Sequence, residues 1–269
     1  MNITAEEIWS AVQAIREKAP VVHSITNYVV MNSTANALLA LGASPVMAHA
    51  EEEMEEMVGI ASALVINIGT LSPAWVRAMF TAAEAARKRK IPIVLDPVGA
   101  GATSYRTRTA RELIRAVPPE IIRGNASEIM ALLETNARTK GVDSTASSHA
   151  AVAIGRKLHA ESGAAVCISG ETDYTIGRTG VIRGRNGHIM MNRVTGLGCT
   201  ASALCGAFAA VVSDPAVAAA EAMAVMGIAG EIAFAKSTGP GSLQLHFIDA
   251  LYNLSADDID RMVKIEKEP

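Results

Sequence analysis

Several short apolar runs, each followed by a turn and a segment of helical periodicity, constrain the fold of this chain more than any other sequence feature. The clearest runs are residues 63–68, 91–95 and 165–168, and residues 21–25 and 120–125 repeat the pattern less completely. Strands buried on both faces are apolar throughout, and they occur where helices cover both sides of a parallel sheet. The sequence therefore predicts an α/β fold with a central, mostly parallel sheet covered by helices on both faces.

No linker, internal repeat or low-complexity tract divides the chain, so we expect a single domain spanning residues 1–269. A polar, Ser/Thr-rich interval lies around residues 135–148. Between residues 173 and 191, turn signals at Gly180 and Asn186-Gly187 predict antiparallel hairpins, because Asn-Gly is a strong hairpin signal.

Polar side chains follow the predicted strands at the points where these strands end. Asn27, Thr70, Asp96 and Asn125 occupy such positions, and Met47 follows another short apolar segment. In parallel sheets the ligand crevice lies beyond the carboxyl ends of the strands. We therefore expect these five residues to share one edge of the sheet.

Composition excludes several classes of protein. The chain carries 24 basic and 27 acidic residues, a net charge of −3, and it has no basic stripe with interleaved aromatic residues, so nucleic acid is not an expected partner. Its three cysteines form no CxxC pair, and the first residues lack the profile of a signal peptide. These observations indicate a reducing cytoplasm.

The most apolar region, residues 200–235, is interrupted by Ser213, Asp214, Glu221 and Glu231. No run of about 20 uncharged apolar residues remains, so a membrane span is not expected. The abundance of Ala, Gly and Met in this region favours close-packed helices in the protein interior or at a subunit contact.

A glycine turn followed by an alanine-rich helix is the strongest local signal for a function. Gly196 and Gly198 allow backbone N–H groups to converge, and a helix that begins directly afterwards adds its unpaired first-turn N–H groups and its positive dipole end. This arrangement predicts a phosphate-binding anion hole with Cys199 at its rim, where the helix dipole is expected to lower the thiol pKa. The alternative is a tight turn followed by a small buried cysteine.

A carboxylate pair indicates a possible magnesium site. Asp96 ends one predicted strand, and Asn125 and Glu128 begin the helix after the next strand, on one face at i,i+3 spacing. Asp96 and Glu128 can jointly hold Mg²⁺ through water, as hard oxygen ligands do when the ion also serves phosphates. The alternative is that Asn125 caps the helix and Glu128 completes a capping box.

Two further residues suit a nucleotide. Arg123 can clamp phosphate oxygens, although a surface ion pair is the usual role of a lone arginine. Ser169 ends another predicted strand and can line the phosphates or ribose, or serve only the turn. The sequence contains neither a Walker loop nor a dinucleotide fingerprint, and its late glycine turn fits phosphoryl transfer better than hydride transfer.

Six motifs in chain order resemble those of the hydroxyethylthiazole kinase family, within the ribokinase-like kinases. They are Val22-His23-Ser24-Ile25-Thr26-Asn27-Tyr28-Val29, Leu41-Gly42-Ala43-Ser44-Pro45-Val46-Met47, Asn67-Ile68-Gly69-Thr70, Asp96-Pro97-Val98-Gly99-Ala100, Arg123-Gly124-Asn125-Ala126-Ser127-Glu128 and Thr195-Gly196-Leu197-Gly198-Cys199. The resemblance covers nearly the whole chain. It implies a ribokinase-like fold, Mg²⁺ and ATP, phosphorylation of the hydroxyethyl arm of the thiazole precursor of thiamin, and a homotrimer with active sites between subunits.

The resemblance also implies roles for individual residues. Those expected around the thiazole alcohol are Asn27, Val29, Met47, Gly69, Thr70 and Gly196. ATP contacts are expected from Arg123, Asn125 and Ser169, where serine replaces the threonine associated with the family. Asp96 and Glu128 are expected to organise magnesium, and Cys199 with Gly196 and Gly198 is expected to form the catalytic turn.

Cys199 occupies the position where the larger superfamily usually has an aspartate base. A thiolate beside ATP phosphates is repelled by them, so we expect Cys199 to orient the alcohol and to assist only modestly. Two other functions stay open from the sequence: a ribokinase-like kinase of another small alcohol, and a thiazole-binding protein without turnover.

Overall fold

The computed structural model describes residues 3–133 and 148–268. The polar interval predicted around 135–148 lies outside these residues except for its last position. A sheet of nine strands forms the centre of the described structure, in the order β2-β1-β3-β4-β5-β6-β7-β8-β9. The strands are β1 (Val21–Ile25), β2 (Ser44–Val46), β3 (Ala63–Asn67), β4 (Ile93–Asp96), β5 (Ile121–Asn125), β6 (Ala165–Ser169), β7 (Asp173–Gly177), β8 (Gly180–Gly184) and β9 (Ile265–Lys267).

The first six strands run parallel, and β7, β8 and β9 extend the sheet by antiparallel pairing. The helices are α1 (Ala5–Lys18), α2 (Met31–Leu41), α3 (Met54–Ile60), α4 (Pro73–Arg89), α5 (Ser104–Ala116), α6 (Ala126–Leu133), α7 (Ser148–Ser162), α8 (Leu197–Ala209), α9 (Pro215–Ala235), α10 (Pro240–Asn253) and α11 (Ala256–Met262). Short 3₁₀ helices cover Glu51–Glu53 and Ile189–Arg193.

Alternate residues of the strands enter two separate hydrophobic clusters, one on each face of the sheet. Val65 and Val94 pack with residues of α1, α2 and α8 to α11. Leu64, Ile66 and Leu95 pack on the other face with residues of α3 to α7. Because the central strands β3 and β4 are buried on both faces, their sequences are apolar up to their last residue. The predicted fold class is confirmed.

The hairpin predicted at Asn186-Gly187 is wrong. The β7–β8 hairpin forms, but Asn186-Gly187 does not start another hairpin, because β8 pairs with β9 at the end of the described chain. The Asn186 side chain makes that connection: its Nδ2 donates to the Met262 carbonyl (2.7 Å), and its Oδ1 accepts from the Lys264 amide (2.8 Å). The segment after Gly187 forms a 3₁₀ helix instead.

Helix α9 is long and apolar enough to cross a membrane by length and composition, with a mean hydropathy of 1.6 in its most apolar window. However, 78% of that window is buried inside the protein. Burial of this kind is typical of a core helix, and α9 packs on α8, α10 and the sheet. The expectation of close-packed helices in this region agrees with its placement.

Candidate active site

The carboxyl ends of the parallel strands meet the first turn of α8 at one edge of the sheet. A hydrogen-bonded chain of side chains crosses this edge: Asn27 Nδ2 donates to Asn67 Oδ1 (2.9 Å), and Asn67 Nδ2 donates to Asp96 Oδ2 (2.7 Å). Asn67 and Asp96 are directly paired at the ends of β3 and β4. The shared edge expected from the sequence is therefore present, with Asn67 at its centre.

Asp96 is 1% exposed and accepts a second hydrogen bond from Ser202 Oγ (2.8 Å). Burial raises the pKa of its carboxyl to about 7, against the lowering effects of Arg123 and of these two hydrogen bonds. The Glu128 carboxylate acts in the same direction as burial. The negative potential that raises the pKa of Asp96 in this way also attracts a metal cation.

The turn before α8 has the backbone that an anion hole requires. Gly196 has a φ of +87°, and a Cβ built on it lies 2.7 Å from Val30 Cγ1, so only glycine fits without strain. The first intrahelical hydrogen bond of α8 runs from the Thr200 amide to the Gly196 carbonyl (2.8 Å). The amides of residues 197–199 are therefore left for a ligand, as at other helix N-termini.

Cys199 is half-buried, and its Sγ accepts from Asn27 Nδ2 at 3.4 Å. The sequence-based expectation of a lowered thiol pKa is wrong: burial and the nearby Asp96 carboxylate raise it to about 11, although hydrogen bonds from Asn67 and Asn27 and the charge of Arg123 oppose them. Loss of hydration has the largest effect on the pKa of this thiol. At neutral pH, Cys199 is a thiol.

Arg123 is not a surface residue, since its exposure is only 9%. Its Nη1 donates to the Gly198 carbonyl (2.9 Å), which links β5 to the glycine turn. Its Nε is buried and has no hydrogen-bond partner in the described chain. A buried guanidinium with an unused donor beside open amides suits an anionic ligand.

Glu128 and Asn125 form a reciprocal cap at the start of α6. The Glu128 amide donates to Asn125 Oδ1, and the Asn125 amide donates to Glu128 Oε2, both at 2.9 Å. Glu128 Oε1 accepts from the Gly99 amide (2.8 Å). The capping role is therefore present, and it leaves room for a second role because each carboxylate oxygen has two lone pairs.

The other residues expected at the site lie around this centre. The Thr70 hydroxyl accepts from the Tyr28 amide (3.3 Å), Val29 is 66% exposed, and Met47 is half-buried. Ser169 is paired with Asn125 in the sheet, and its hydroxyl donates to the Gly124 carbonyl at 3.4 Å. Their contacts with ligands stay predictions.

Sequence reasoning missed two residues of the network. Asn67 ends an apolar run, as Asp96 does, but the sequence indicates it only as part of a motif. Ser202 lies four residues after Gly198 on α8, facing the sheet. Its signal was a hydroxyl one helical turn beyond the glycine turn.

Asp96 and Glu128 fit a magnesium ion held partly by water and phosphate. The described residues contain no group of three or more His, Cys, Asp or Glu side chains arranged to hold a metal. An ion that keeps several waters and binds nucleotide phosphates needs only one or two carboxylates. The donor set is therefore consistent with magnesium that arrives with a nucleotide.

The described structure has a ribokinase-like fold. The chain is similar in fold to pyridoxal kinase from Staphylococcus aureus in complex with pyridoxal, with a TM-score of 0.65 and 16% identity over 92% of this chain and 97% of that one. It is much more similar to a hydroxyethylthiazole kinase structure from Pyrococcus horikoshii OT3, with a TM-score of 0.91 and 43% identity over 98% and 100% of the two chains.

Residues 12–257 match the hydroxyethylthiazole kinase family. A hydroxyethylthiazole kinase from Syntrophus aciditrophicus (strain SB) is 67% identical over 98% of both chains. The chain belongs to the hydroxyethylthiazole kinase family.

Proposed function

We propose that this protein transfers the γ-phosphoryl group of ATP to the hydroxyl of 4-methyl-5-(2-hydroxyethyl)thiazole, in thiamin biosynthesis or salvage. The observation that carries the proposal is the side-chain network that joins Asn27, Asn67 and Asp96 across the sheet edge to Cys199 and Ser202 on α8. This network lies beside the open amides of the glycine turn. An alcohol site and a phosphate site therefore share one wall.

The alcohol side of the site is assigned to the loops after β1, β2 and β3 and to the glycine turn. Its residues are Asn27, Val29, Met47, Gly69, Thr70 and Gly196. Gly69 and Asn27 approach closely, since a Cβ on Gly69 lies 2.6 Å from Asn27 Nδ2. Apolar Val29 and Met47 suit the thiazole ring, and the network of amides suits the hydroxyethyl arm.

The phosphate side is assigned to Gly196, Gly198 and the amides of residues 197–199, with Arg123, Asn125 and Ser169 as further ATP contacts. Donors aimed at the transferred group stabilise the charge that spreads over its oxygens in a loose transition state. Asp96 and Glu128 are assigned to magnesium. When bound, the ion neutralises phosphate charge and aligns the phosphates.

The proton of the alcohol needs no strong base in this scheme. With a thiol pKa near 11, Cys199 stays protonated, so it orients the hydroxyl as a weak hydrogen-bond partner. In a loose transition state the proton leaves late, after cleavage of the bond to the leaving group has advanced. Positioning and charge stabilisation then supply most of the catalysis.

We expect Cys199→Ala to lower kcat by about 10- to 100-fold, the range of a modest acid–base or orienting contribution, while both ligands still bind. Cys199→Asp is expected to stay active, because a carboxylate can orient the alcohol as a hydrogen-bond acceptor and can, unlike the thiol, take its proton. Steady-state kinetics with ligand binding by calorimetry measures both variants. Complete loss of turnover in a Cys199→Ala protein that binds both ligands contradicts a merely assisting role.

The assembly is part of the same proposal: one kinase domain spanning residues 1–269, a homotrimer with active sites between subunits, and a cytoplasmic location. The adjacent side chains of Tyr28 (63% exposed) and Val29 (66% exposed) lie beside the proposed alcohol site, and neighbouring exposed apolar side chains favour a subunit contact. The assignment to the alcohol site therefore favours a neighbouring subunit at this position.

ADP release by purified protein with Mg-ATP, with and without the thiazole alcohol, tests the function, with mass measurement of the product. Thiazole-dependent ADP and the matching phosphate ester support it. Thiazole binding without ADP formation indicates the non-catalytic alternative. Turnover of another alcohol from a panel that includes hydroxymethylpyrimidine, pyridoxal and sugars, without turnover of the thiazole, indicates a different kinase.

A further inference from the structure

The guanidinium group of Arg106, in the first turn of α5, donates hydrogen bonds to backbone carbonyls of two loops. Its Nη1 donates to the carbonyls of Val98 (2.7 Å) and Ile68 (3.1 Å), and its Nη2 donates to that of Gly69 (2.6 Å). No backbone amide in the described residues donates to these three carbonyls. A partly buried carbonyl without a donor is unfavourable, so the arginine stabilises the two loops side by side by supplying donors to both.

The two loops follow neighbouring strands and face different parts of the site. The loop after β3 (68–72) carries Gly69 and Thr70, which are assigned to the alcohol. The loop after β4 (97–103) follows Asp96, and its Gly99 amide donates to Glu128 Oε1 (2.8 Å). The guanidinium therefore lies between the alcohol loop and the loop that holds the carboxylates.

The position of Arg106 is itself constrained. Its amide donates to Thr103 Oγ1 (3.2 Å), and the Thr107 hydroxyl accepts from the Gly101 amide (2.7 Å), so the first turn of α5 is tied to the loop after β4. A planar fork with five donors can bridge carbonyls of two loops, whereas a lysine ammonium presents one compact set of donors. The residue type matches the geometry.

We propose that Arg106 is a positioning residue that sets the separation between the alcohol-binding loop and the Asp96–Glu128 side of the site. This inference rests on the proposed function for the identity of the two ligands. Arg106 touches neither ligand. Its effect is to keep the acceptor hydroxyl in line with the phosphoryl group, which is the part of catalysis most sensitive to small displacements.

The test compares Arg106→Met and Arg106→Lys with Arg108→Met in the full chain. Arg108 is a matched control because it lies on the same helix, with its side chain 60% exposed and 3.9 Å from Glu112. We expect Arg106→Met to lower kcat/KM for the alcohol at least about tenfold, while the Kd for ADP stays within about twofold of the wild type. Arg106→Lys is expected to be intermediate, and Arg108→Met unchanged.

Hydrogen exchange read by mass spectrometry supplies an independent measurement. Amides of residues 68–72 and 98–103 should exchange faster in Arg106→Met than in Arg108→Met, with unchanged exchange in β5 and α8. The proposal is overturned if kcat/KM matches that of Arg108→Met, or if alcohol turnover and ADP affinity fall together with the melting temperature. If Arg106→Met does not fold, Arg106→Lys decides by the same criteria.

A wild-type protein that folds but turns over no alcohol contradicts the proposed function and not the inference about the two loops. In that case the exchange comparison still decides. Faster exchange confined to the two loops supports the positioning role, and unchanged exchange there overturns it.

Discussion

Arg123→Met is expected to lower kcat/KM for ATP by at least about 100-fold, or about 3 kcal/mol, the usual cost of truncating one partner of a buried charged contact. Arg123 has a buried guanidinium, a bond to the Gly198 carbonyl and an unpaired Nε beside the open amides of the glycine turn. Methionine keeps most of the length and the apolar stem but removes every donor. Steady-state kinetics with varied ATP measures the effect.

Arg87→Met is the matched control for this variant. The Arg87 side chain also donates to a backbone carbonyl, that of Ala116 (3.2 Å), but it lies outside the site on α4. Arg123→Lys adds a second comparison, because lysine keeps the charge but not the fork. If Arg123→Met retained ATP kinetics close to those of Arg87→Met, the assignment of Arg123 to the phosphates would be wrong.

The fold was predictable because the evidence for it is local. Strands buried on both faces are apolar along most of their length, and residues 63–66 satisfy this condition within a single run. The absence of a hairpin at Asn186-Gly187 was not predictable, because the same turn residues also serve a long-range contact. Asn186 bonds to Met262 and Lys264, more than 70 residues later in the chain, and β9 takes the edge that a local hairpin would have filled.

The position of the site was predictable for a topological reason. Asn27, Asp96 and Asn125 end parallel strands, and such strands end at one edge. The partners that set the chemistry were not predictable in the same way. Asn67 and Ser202 both donate to Asp96. In the sequence, however, Asn67 is only the last residue of an apolar run, and Ser202 is only a small residue in a helix, so neither is recognisable as a partner of Asp96.

The error about the Cys199 pKa has the same origin. A helix N-terminus is visible in a sequence, and its dipole favours a thiolate. Desolvation and a neighbouring carboxylate are properties of the folded protein, and here they raise the pKa of Cys199 to about 11. Burial therefore decides whether the thiol pKa is raised or lowered. The degree of burial at a strand–helix junction is difficult to predict from a single sequence.

Asp96→Asn is expected to lower kcat at least about 100-fold without unfolding the protein. The asparagine oxygen can accept from both Asn67 Nδ2 and Ser202 Oγ, which now donate to the same carboxylate oxygen, so the network keeps its shape. What is lost is the negative charge that, with Glu128, is assigned to magnesium. The measurements are kcat at saturating substrates and the melting temperature, with exposed Asp249→Asn as the control.

Nucleotide binding separates loss of the metal site from general damage. In the presence of EDTA, Asp96→Asn should bind ATP at least as tightly as the wild type, because a negative charge beside the phosphates is gone. The increase in ATP affinity that magnesium produces in the wild type should be much smaller in the variant. Asp96 is 1% exposed, so the smaller response to magnesium reports the loss of a buried charge in the site and not of a charge on the protein surface. An undiminished response to magnesium, with kcat within fivefold of the control, would show that Asp96 does not organise the ion.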